Sequence, residues 1–435
     1  MKSVAIIGGG ESGTAAALLA HKKGISAFVS DYGTIAEQYK EELENHNIPF
    51  EEKGHDLEKI LKADVIVKSP GIPENSEVMR YFRLRHKKII SEIEFASRFY
   101  DGHIIGITGS NGKTTTTKLC YHILKHSQFN IGMGGNVGIS FARLLLSNEE
   151  FDWVVLELSS FQLDDIQDFE VDVAVVLNIT PDHLDRYDYN FDNYVAAKWN
   201  LPLHAKNTGY AILNSDDAAI RNKIKDSPLD VDVVWIEGDG GEVLISTETS
   251  APFEMQLRGE HNMFNASVCV TIARNLEMSD AEIQKALLGF KSVAHRMEPV
   301  ASFQDVEFIN DSKATNIDSS RVALQSMTKP TVWIAGGTDK GNDYRSIESL
   351  VREKAVAIVC LTKDDSNLRA VFGDYGERIH TTHDVRHAIR WAMNQIERGT
   401  ILLSPACASF DLFKNYEHRG DSFKSAVHEL LNESN

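Results

Sequence analysis

The run Gly106, Ile107, Thr108, Gly109, Ser110, Asn111, Gly112, Lys113, Thr114, Thr115 combines residue types that can hold a nucleoside triphosphate. An apolar run at 103–108 enters a glycine turn, Gly-Lys-Thr follows, and a helical pattern covers 116–125. This strand–loop–helix context is what a phosphate-binding loop requires. Glycines let backbone N–H groups approach phosphate oxygens, Lys113 neutralises charge, and the Thr114 hydroxyl can reach magnesium. The spacing departs from GxxxxGK[ST], because Ile107 stands where the first glycine belongs and Gly109 takes over the turn.

Three further groups follow this loop. Glu157 lies in the apolar strand run 154–158, at the edge of an open α/β sheet where ligands bind. It suits magnesium, and it also suits a solvated strand end. Asp182 and His183 lie in the polar segment 178–187, directly after the apolar run 173–177. His183 alone reads as an ordinary surface or packed histidine. Lys198 interrupts an apolar helical face at 194–198, and alone it reads as a snorkelling lysine.

A second glycine loop occupies Gly8, Gly9, Gly10, Glu11, Ser12 and Gly13, after a strand run and before a helical one, with Asp31 closing the next strand. Alone, this GxGxxG pattern suggests a dinucleotide and an NAD-dependent oxidoreductase. A uridine nucleotide would use the same physics, a diphosphate at a helix N-terminus. Ser69, Pro70 and Gly71 add another turn on the same edge. The oxidoreductase reading leaves Lys113 and Glu157 without a task, and no hydride-transfer constellation accompanies the loop.

The elements that must position these residues alternate between short β-branched runs and longer helical patterns, which predicts parallel sheets with crossover helices. A first unit uses runs at 4–7, 27–30, 64–67 and 89–90. A second uses 103–108, 153–158, 173–178 and 210–213, followed by a small antiparallel appendage at 231–257 and helices at 262–276 and 280–288. A third uses 306–309, 331–335, 357–361 and 401–404. The expected organisation is three α/β domains, at 1–91, 92–293 and 294–435, consistent with the length of 435 residues.

Hydrophobic content of 42% and charged content of 25% exclude wholesale disorder. A net charge of -18 argues against a nucleic-acid partner, because phosphate backbones are bound by basic surfaces. Cys120, Cys269, Cys360 and Cys407 form no CxxC pair and no zinc spacing, which predicts reduced, buried thiols in a cytosolic protein. The apolar start is stopped by glycines too early for a signal peptide, and no run is long enough to span a bilayer. The expectation is a soluble cytoplasmic protein without membrane insertion.

Further motifs are Glu157-Leu158-Ser159-Ser160-Phe161-Gln162-Leu163, Gly259-Glu260-His261-Asn262 and His295-Arg296-Met297-Glu298. They continue with Asp311-Ser312-Lys313-Ala314-Thr315-Asn316, Gly336-Gly337-Thr338-Asp339-Lys340 and Ser404-Pro405-Ala406-Cys407-Ala408-Ser409. Together with 109–115 and 178–187, these make the sequence resemble the Mur ligases over essentially its whole length. The loop, the Glu157 motif, the 178–187 segment, the Gly259 motif and the His-Arg pair are shared with the wider Mur and folylpolyglutamate synthase superfamily. The last three motifs point to the D-glutamate-adding members. A folate-type polyglutamate ligase normally lacks a UDP-binding domain ahead of its phosphate loop.

The resemblance implies an N-terminal Rossmann-like domain for the UDP end. It further implies a central P-loop ATPase with a mostly parallel sheet plus a small antiparallel one, and a C-terminal Rossmann-like domain for the amino acid. The implied reaction is ATP-dependent addition of D-glutamate to UDP-N-acetylmuramoyl-L-alanine through an acyl phosphate, in peptidoglycan precursor synthesis, by a monomer. Lys113, His183 and Lys198 take the catalytic positions. Thr114 and Glu157 match ligands of one magnesium ion, and His183 with a carbamylated Lys198 match those of a second. Gly109, Ser110, Asn111, Gly112, Lys113, Thr114 and Thr115 match the ATP loop, with Asn262, Arg296 and Asp311 holding adenine, phosphate and ribose. Ser12, Asp31 and Gly71 fall at the UDP end, and Asn136, Gln162 and His183 match contacts to the muramoyl substrate. Lys313, Thr315, Lys340, Ser409, Phe410 and Tyr416 match the D-glutamate pocket. The sequence departs from the family at Glu11, an acid beside the expected diphosphate, and at Gly33, where an arginine is expected.

Overall fold

The computed structural model describes residues 1–433 except 148, 239, 240, 258, 259, 291–293 and 340. These residues form two compact units, Met1–Phe290 and Lys291–Asn435.

The first unit holds two parallel sheets. One contains β1 (Ser3–Ile7), β2 (Ser26–Ser30), β3 (Phe50–Glu51), β4 (Val65–Lys68) and β5 (Ile89–Ser91), in the order β3-β2-β1-β4-β5. The other contains β6 (His103–Thr108), β7 (Ile131–Gly135), β8 (Trp153–Glu157), β9 (Val171–Val176), β10 (Ala205–Asn214) and β11 (Asp232–Ile236), in the order β11-β10-β9-β6-β8-β7. The apolar runs of β1, β2, β4, β5, β6, β8 and β9 are buried on both faces, as parallel sheets covered by helices demand. Strand order reverses at β1 in the first sheet and at β6 in the second, so both glycine loops open at switch points, where α/β sheets bind ligands.

The two sheets share one apolar core, running from Val4 to Ile220. Charge also ties them. Lys68 and Arg83 both pair with the buried Asp165. Glu94, fully buried in the helix Glu92–Ser97, accepts the backbone N–H groups of Gln167, Asp168 and Phe169 at 2.9, 2.9 and 2.7 Å. Three donors compensate a carboxylate that would otherwise be costly to desolvate.

The expected antiparallel appendage at 231–257 takes a different form. β11 joins the central sheet in parallel beside β10, and antiparallel pairing among the described residues of the segment reduces to the bridge Ile245–Pro252. Val233, Val234 and Trp235 have a neighbouring parallel edge available, and that edge outcompetes a local hairpin.

The second unit is a six-stranded mixed sheet of β12 (Glu298–Phe303), β13 (Val306–Asn310), β14 (Thr331–Ala335), β15 (Ala355–Leu361), β16 (Ile379–Thr382) and β17 (Gly399–Leu403), ordered β12-β13-β17-β14-β15-β16. β12 is antiparallel to β13, an edge hairpin missing from the sequence expectation, and the other pairings are parallel. All four cysteines are free and buried, as expected. No described helix is long and apolar enough to cross a membrane.

Candidate active site

The phosphate-loop segment leaves β6 and enters the helix Lys113–Leu124. Gly112 has φ +87°, and a Cβ there would meet Asn265 Oδ1 at 2.9 Å, so the turn requires glycine. Asn178, just beyond β9, holds the loop from the side. Its Oδ1 accepts the Asn111 N–H at 2.8 Å, and its Nδ2 donates to the Asn111 carbonyl at 3.0 Å. Ser110 is a latch to the same segment: its N–H donates to Asn178 O (2.9 Å) and its Oγ to Thr180 O (2.8 Å). Sequence reasoning quoted Asn178 within a motif without giving it this part. Thr114 and Thr115 are buried at the start of the helix, and Thr115 Oγ1 has no hydrogen-bond partner among the described residues. Asn262 is buried on the helix Glu260–Asn275, where its Oδ1 lies 3.5 Å from Asn265 Nδ2.

Lys113 Nζ donates to Gly109 O at 2.8 Å and to Ser110 O at 2.9 Å. Lys198, on the helix Phe191–Leu203, is 1% exposed; its Nζ also donates to Gly109 O at 2.8 Å and lies 4.7 Å from the Tyr194 ring centre. Burial, and then the Lys113 ammonium, push the Lys198 amine well below its ordinary pKa, against the opposing pull of Asp182, Asp164 and Glu157. A neutral amine is the form that adds carbon dioxide, so the environment fits carbamylation.

Glu157, 2% exposed at the end of β8, has one oxygen, Oε1, bound by Asn136 Nδ2 at 2.7 Å, whereas Oε2 is buried without a partner among the described residues. An orphaned carboxylate oxygen beside a phosphate loop fits a hard cation, which takes one or two carboxylates plus phosphate and water. His183 adopts φ +52° and packs edge-on against Phe161 at 5.2 Å, with its Nε2 3.7 Å from Asp182 Oδ2. Among the described residues no cluster of three His, Cys, Asp or Glu side chains forms a metal cage. Sequence reasoning passed over Asp164. Burial raises its pKa to about 6, and it accepts the Tyr187 hydroxyl at 3.1 Å. Gln162 spends its Oε1 on Ser159 N (2.9 Å) and Oγ (3.0 Å) in a capping box.

At the first sheet's edge, Asp31 clamps two loops: Oδ2 accepts Gly9 N at 2.6 Å and Oδ1 accepts Gly33 N at 2.7 Å. Ser12 is half-buried in the helix Glu11–Lys22, and Gly71 is exposed beyond Ser69, whose Oγ donates to Gly8 O at 3.2 Å. Glu11 accepts Ser140 N (3.3 Å) and Oγ (3.1 Å) and lies 3.5 Å from Arg143 Nε, so its charge serves the contact between the sheets.

The second unit gathers its candidates at the ends of β13, β17 and β14. Asp311 is buried, accepting Ser404 Oγ at 2.9 Å and Met297 N at 3.2 Å. Burial raises its pKa to about 6 against the pull of Arg296, whose own Nε is buried without a hydrogen-bond partner among the described residues. Lys313 Nζ lies 5.1 Å from the Tyr416 ring centre. Ser409 is buried, Thr315 half-buried and Phe410 72% exposed, and Lys340 lies outside the described residues. Arg419, 1% exposed, was not anticipated. It binds Ser312 Oγ (3.0 Å), Ser312 O (2.8 Å) and Cys407 O (3.1 Å), and burial pushes it down to about 10.

Residues 3–78 match the MurD N-terminal domain, 107–273 the Mur ligase middle domain and 295–407 the Mur ligase glutamate ligase domain. The chain is 46% identical over 450 residues to the UDP-N-acetylmuramoylalanine–D-glutamate ligase of Cytophaga hutchinsonii, covering 99% of each. It is 43% identical over 444 residues to that of Christiangramia forsetii, covering 99% of this chain and all of the other. Among solved structures, UDP-N-acetylmuramate-alanine ligase MurC from Thermotoga maritima shares the fold, with TM-score 0.61, 18% identity and coverage of 98% and 99%. MurF ligase from the same organism, in complex with ADP, gives TM-score 0.60 at 14% identity, covering 93% and 95%. The chain belongs to the Mur ligase family, among its UDP-N-acetylmuramoylalanine–D-glutamate ligases.

Proposed function

We propose that this chain activates the alanyl carboxylate of UDP-N-acetylmuramoyl-L-alanine as an acyl phosphate at the Gly109–Lys113 loop, before D-glutamate is joined to it. The chain is an ATP-dependent ligase that adds D-glutamate to that substrate, a step in making peptidoglycan precursors. The carboxylate attacks the ATP γ-phosphate, ADP leaves, and the D-glutamate amine then attacks the acyl carbon, releasing phosphate and forming the amide. The observation that carries this reading is the pair of lysine amines gathered on one phosphate-loop carbonyl beside the orphaned oxygen of Glu157.

Lys113 is placed to turn from the loop carbonyls onto transferring phosphate, with the loop N–H groups orienting it. We assign one magnesium ion to Thr114 and Glu157 and a second to His183 and a carbamylated Lys198. Magnesium, when bound, neutralises charge on the phosphates. Asn111 and Ser110 keep the loop preformed through Asn178 and Thr180, so little reorganisation accompanies binding. In the proposed division of labour, residues 1–91 hold the UDP end, 92–293 the ATP and 294–435 the amino acid, through Lys313, Thr315, Lys340, Ser409, Phe410 and Tyr416. We further place the reaction in the cytoplasm and the enzyme in monomeric form.

Phosphate release tests the reading. Purified chain with ATP, magnesium, UDP-N-acetylmuramoyl-L-alanine and D-glutamate should release phosphate continuously, and omission of either acceptor or donor should stop it. No phosphate from the complete mixture sinks the proposal.

A further inference from the structure

Asn136 stands among the expected contacts to the muramoyl substrate, yet its side chain is turned to a protein partner. Nδ2 donates to Glu157 Oε1 at 2.7 Å, and the Asn136 backbone N–H donates to Glu157 O at 2.8 Å. β7 pairs with β8 in a register that sets Gly135 opposite Glu157. Gly135 has φ +99°, and a Cβ there would come within 2.3 Å of Glu157 O, so the chain turns off β7 directly against this glutamate.

The far end of the turn is pinned as firmly. Gly135 N donates to Ile139 O at 2.9 Å, closing the loop on itself. Ser140 then binds Glu11 through N and Oγ, and Ala142 N donates to Glu92 Oε1 at 2.6 Å. Asn136 is therefore held at a fixed place beside Glu157.

A carboxylate has two equivalent oxygens and a freely turning plane. A neutral amide donor on Oε1 fixes that plane without cancelling the charge, which a lysine or arginine would cancel, and leaves Oε2 as the oxygen with no partner among the described residues. The geometry points to Asn136 as a positioning residue that orients Glu157 so that Oε2 faces the divalent cation. This inference rests on the reading of Glu157 as a magnesium ligand. Outer partners that hold ligands in this way typically set metal affinity by about 10- to 100-fold.

The test uses the full chain with a non-hydrolysable ATP analogue and Mn2+ as a spectroscopic probe, its binding followed by electron paramagnetic resonance. Asn136→Ala should weaken Mn2+ binding by about tenfold in the absence of the muramoyl substrate; Asn136→Gln, which restores an amide donor, should recover most of the lost affinity. Circular dichroism melts select folded variants, and the Gln variant decides the question where the Ala variant does not fold. Unchanged Mn2+ affinity in a folded Asn136→Ala overturns the proposal. Glu157→Gln separates the two levels. If it binds Mn2+ as the unaltered chain does, the ligand assignment itself fails; if it loses Mn2+ while Asn136→Ala does not, only the positioning role fails.

Discussion

Lys113 and Lys198 donate their ammonium hydrogens to the same acceptor, the Gly109 carbonyl oxygen, each at 2.8 Å. Two cations this close disfavour each other, and the buried one yields: the Lys198 amine loses basicity through burial first and Lys113 second. A lysine held in this way suits the carbamate proposed at residue 198.

Lys198→Ala should therefore lower kcat by at least about 100-fold, with partial recovery in acetate or another short carboxylate standing in for the carbamate. The pH dependence has a definite sign. The folded-state pKa lies below the unfolded one, so the unfolded chain binds the extra proton and this lysine's stability penalty fades as pH rises toward the unfolded value. Carbamate formation gains in the same direction. Kinetics of the variant with and without acetate check the claim, and full activity of the untreated variant contradicts it.

Glu157→Gln removes the orphaned oxygen's charge and keeps the shape. We expect kcat to fall by roughly two to three orders of magnitude with no loss in thermal stability, since a buried oxygen without a partner contributes nothing favourable. Paired melts and turnover measurements decide it. A large drop in melting temperature would mean the carboxylate is chiefly structural.

Glu92 offers a test away from the reaction. It is buried, with Oε1 accepting Ala142 N at 2.6 Å and Oε2 without a partner among the described residues, and burial raises its pKa to about 8. A carboxyl raised in the folded state contributes its full stability below the unfolded pKa of 4.5 and loses it as pH climbs through the folded value. The stability of Glu92→Gln relative to the unaltered chain should thus rise between pH 5 and 8 by roughly 1.4 kcal/mol per pH unit. Denaturant unfolding at several pH values measures it, and a difference independent of pH refutes the assignment.

Lys313→Ala should raise the KM for D-glutamate roughly tenfold or more, the cost of a charge-assisted hydrogen bond, while the KM for ATP stays nearly constant. Steady-state kinetics with each substrate varied make the comparison. Equal weakening of both ligands would show that the pocket lies elsewhere.

The strand–turn–helix arrangement around 109–115 was legible because its residues are contiguous and glycines mark the turn. Lys198 was not legible from its own neighbourhood: 85 positions separate it from Lys113, and the tertiary fold brings both to Gly109. Glu11 looked misplaced beside a diphosphate because its partners, Ser140 and Arg143, stand far along the chain. Arg419 gave no signal at all, since a helix-borne arginine reads as solvated until it is seen to close on Ser312 and Cys407. The hairpin of β12 and β13 escaped notice because Glu298–Phe303 is short, half-buried and interrupted by Pro299.

Oxygen tracing tests the acyl phosphate most directly. UDP-N-acetylmuramoyl-L-alanine carrying 18O in both oxygens of its alanyl carboxylate is turned over with ATP and D-glutamate, and the released phosphate is weighed by mass spectrometry. Activation at the Gly109–Lys113 loop predicts one 18O transferred to each phosphate and one retained in the new amide. Phosphate without label, from a reaction that still forms the amide, would contradict the mechanism.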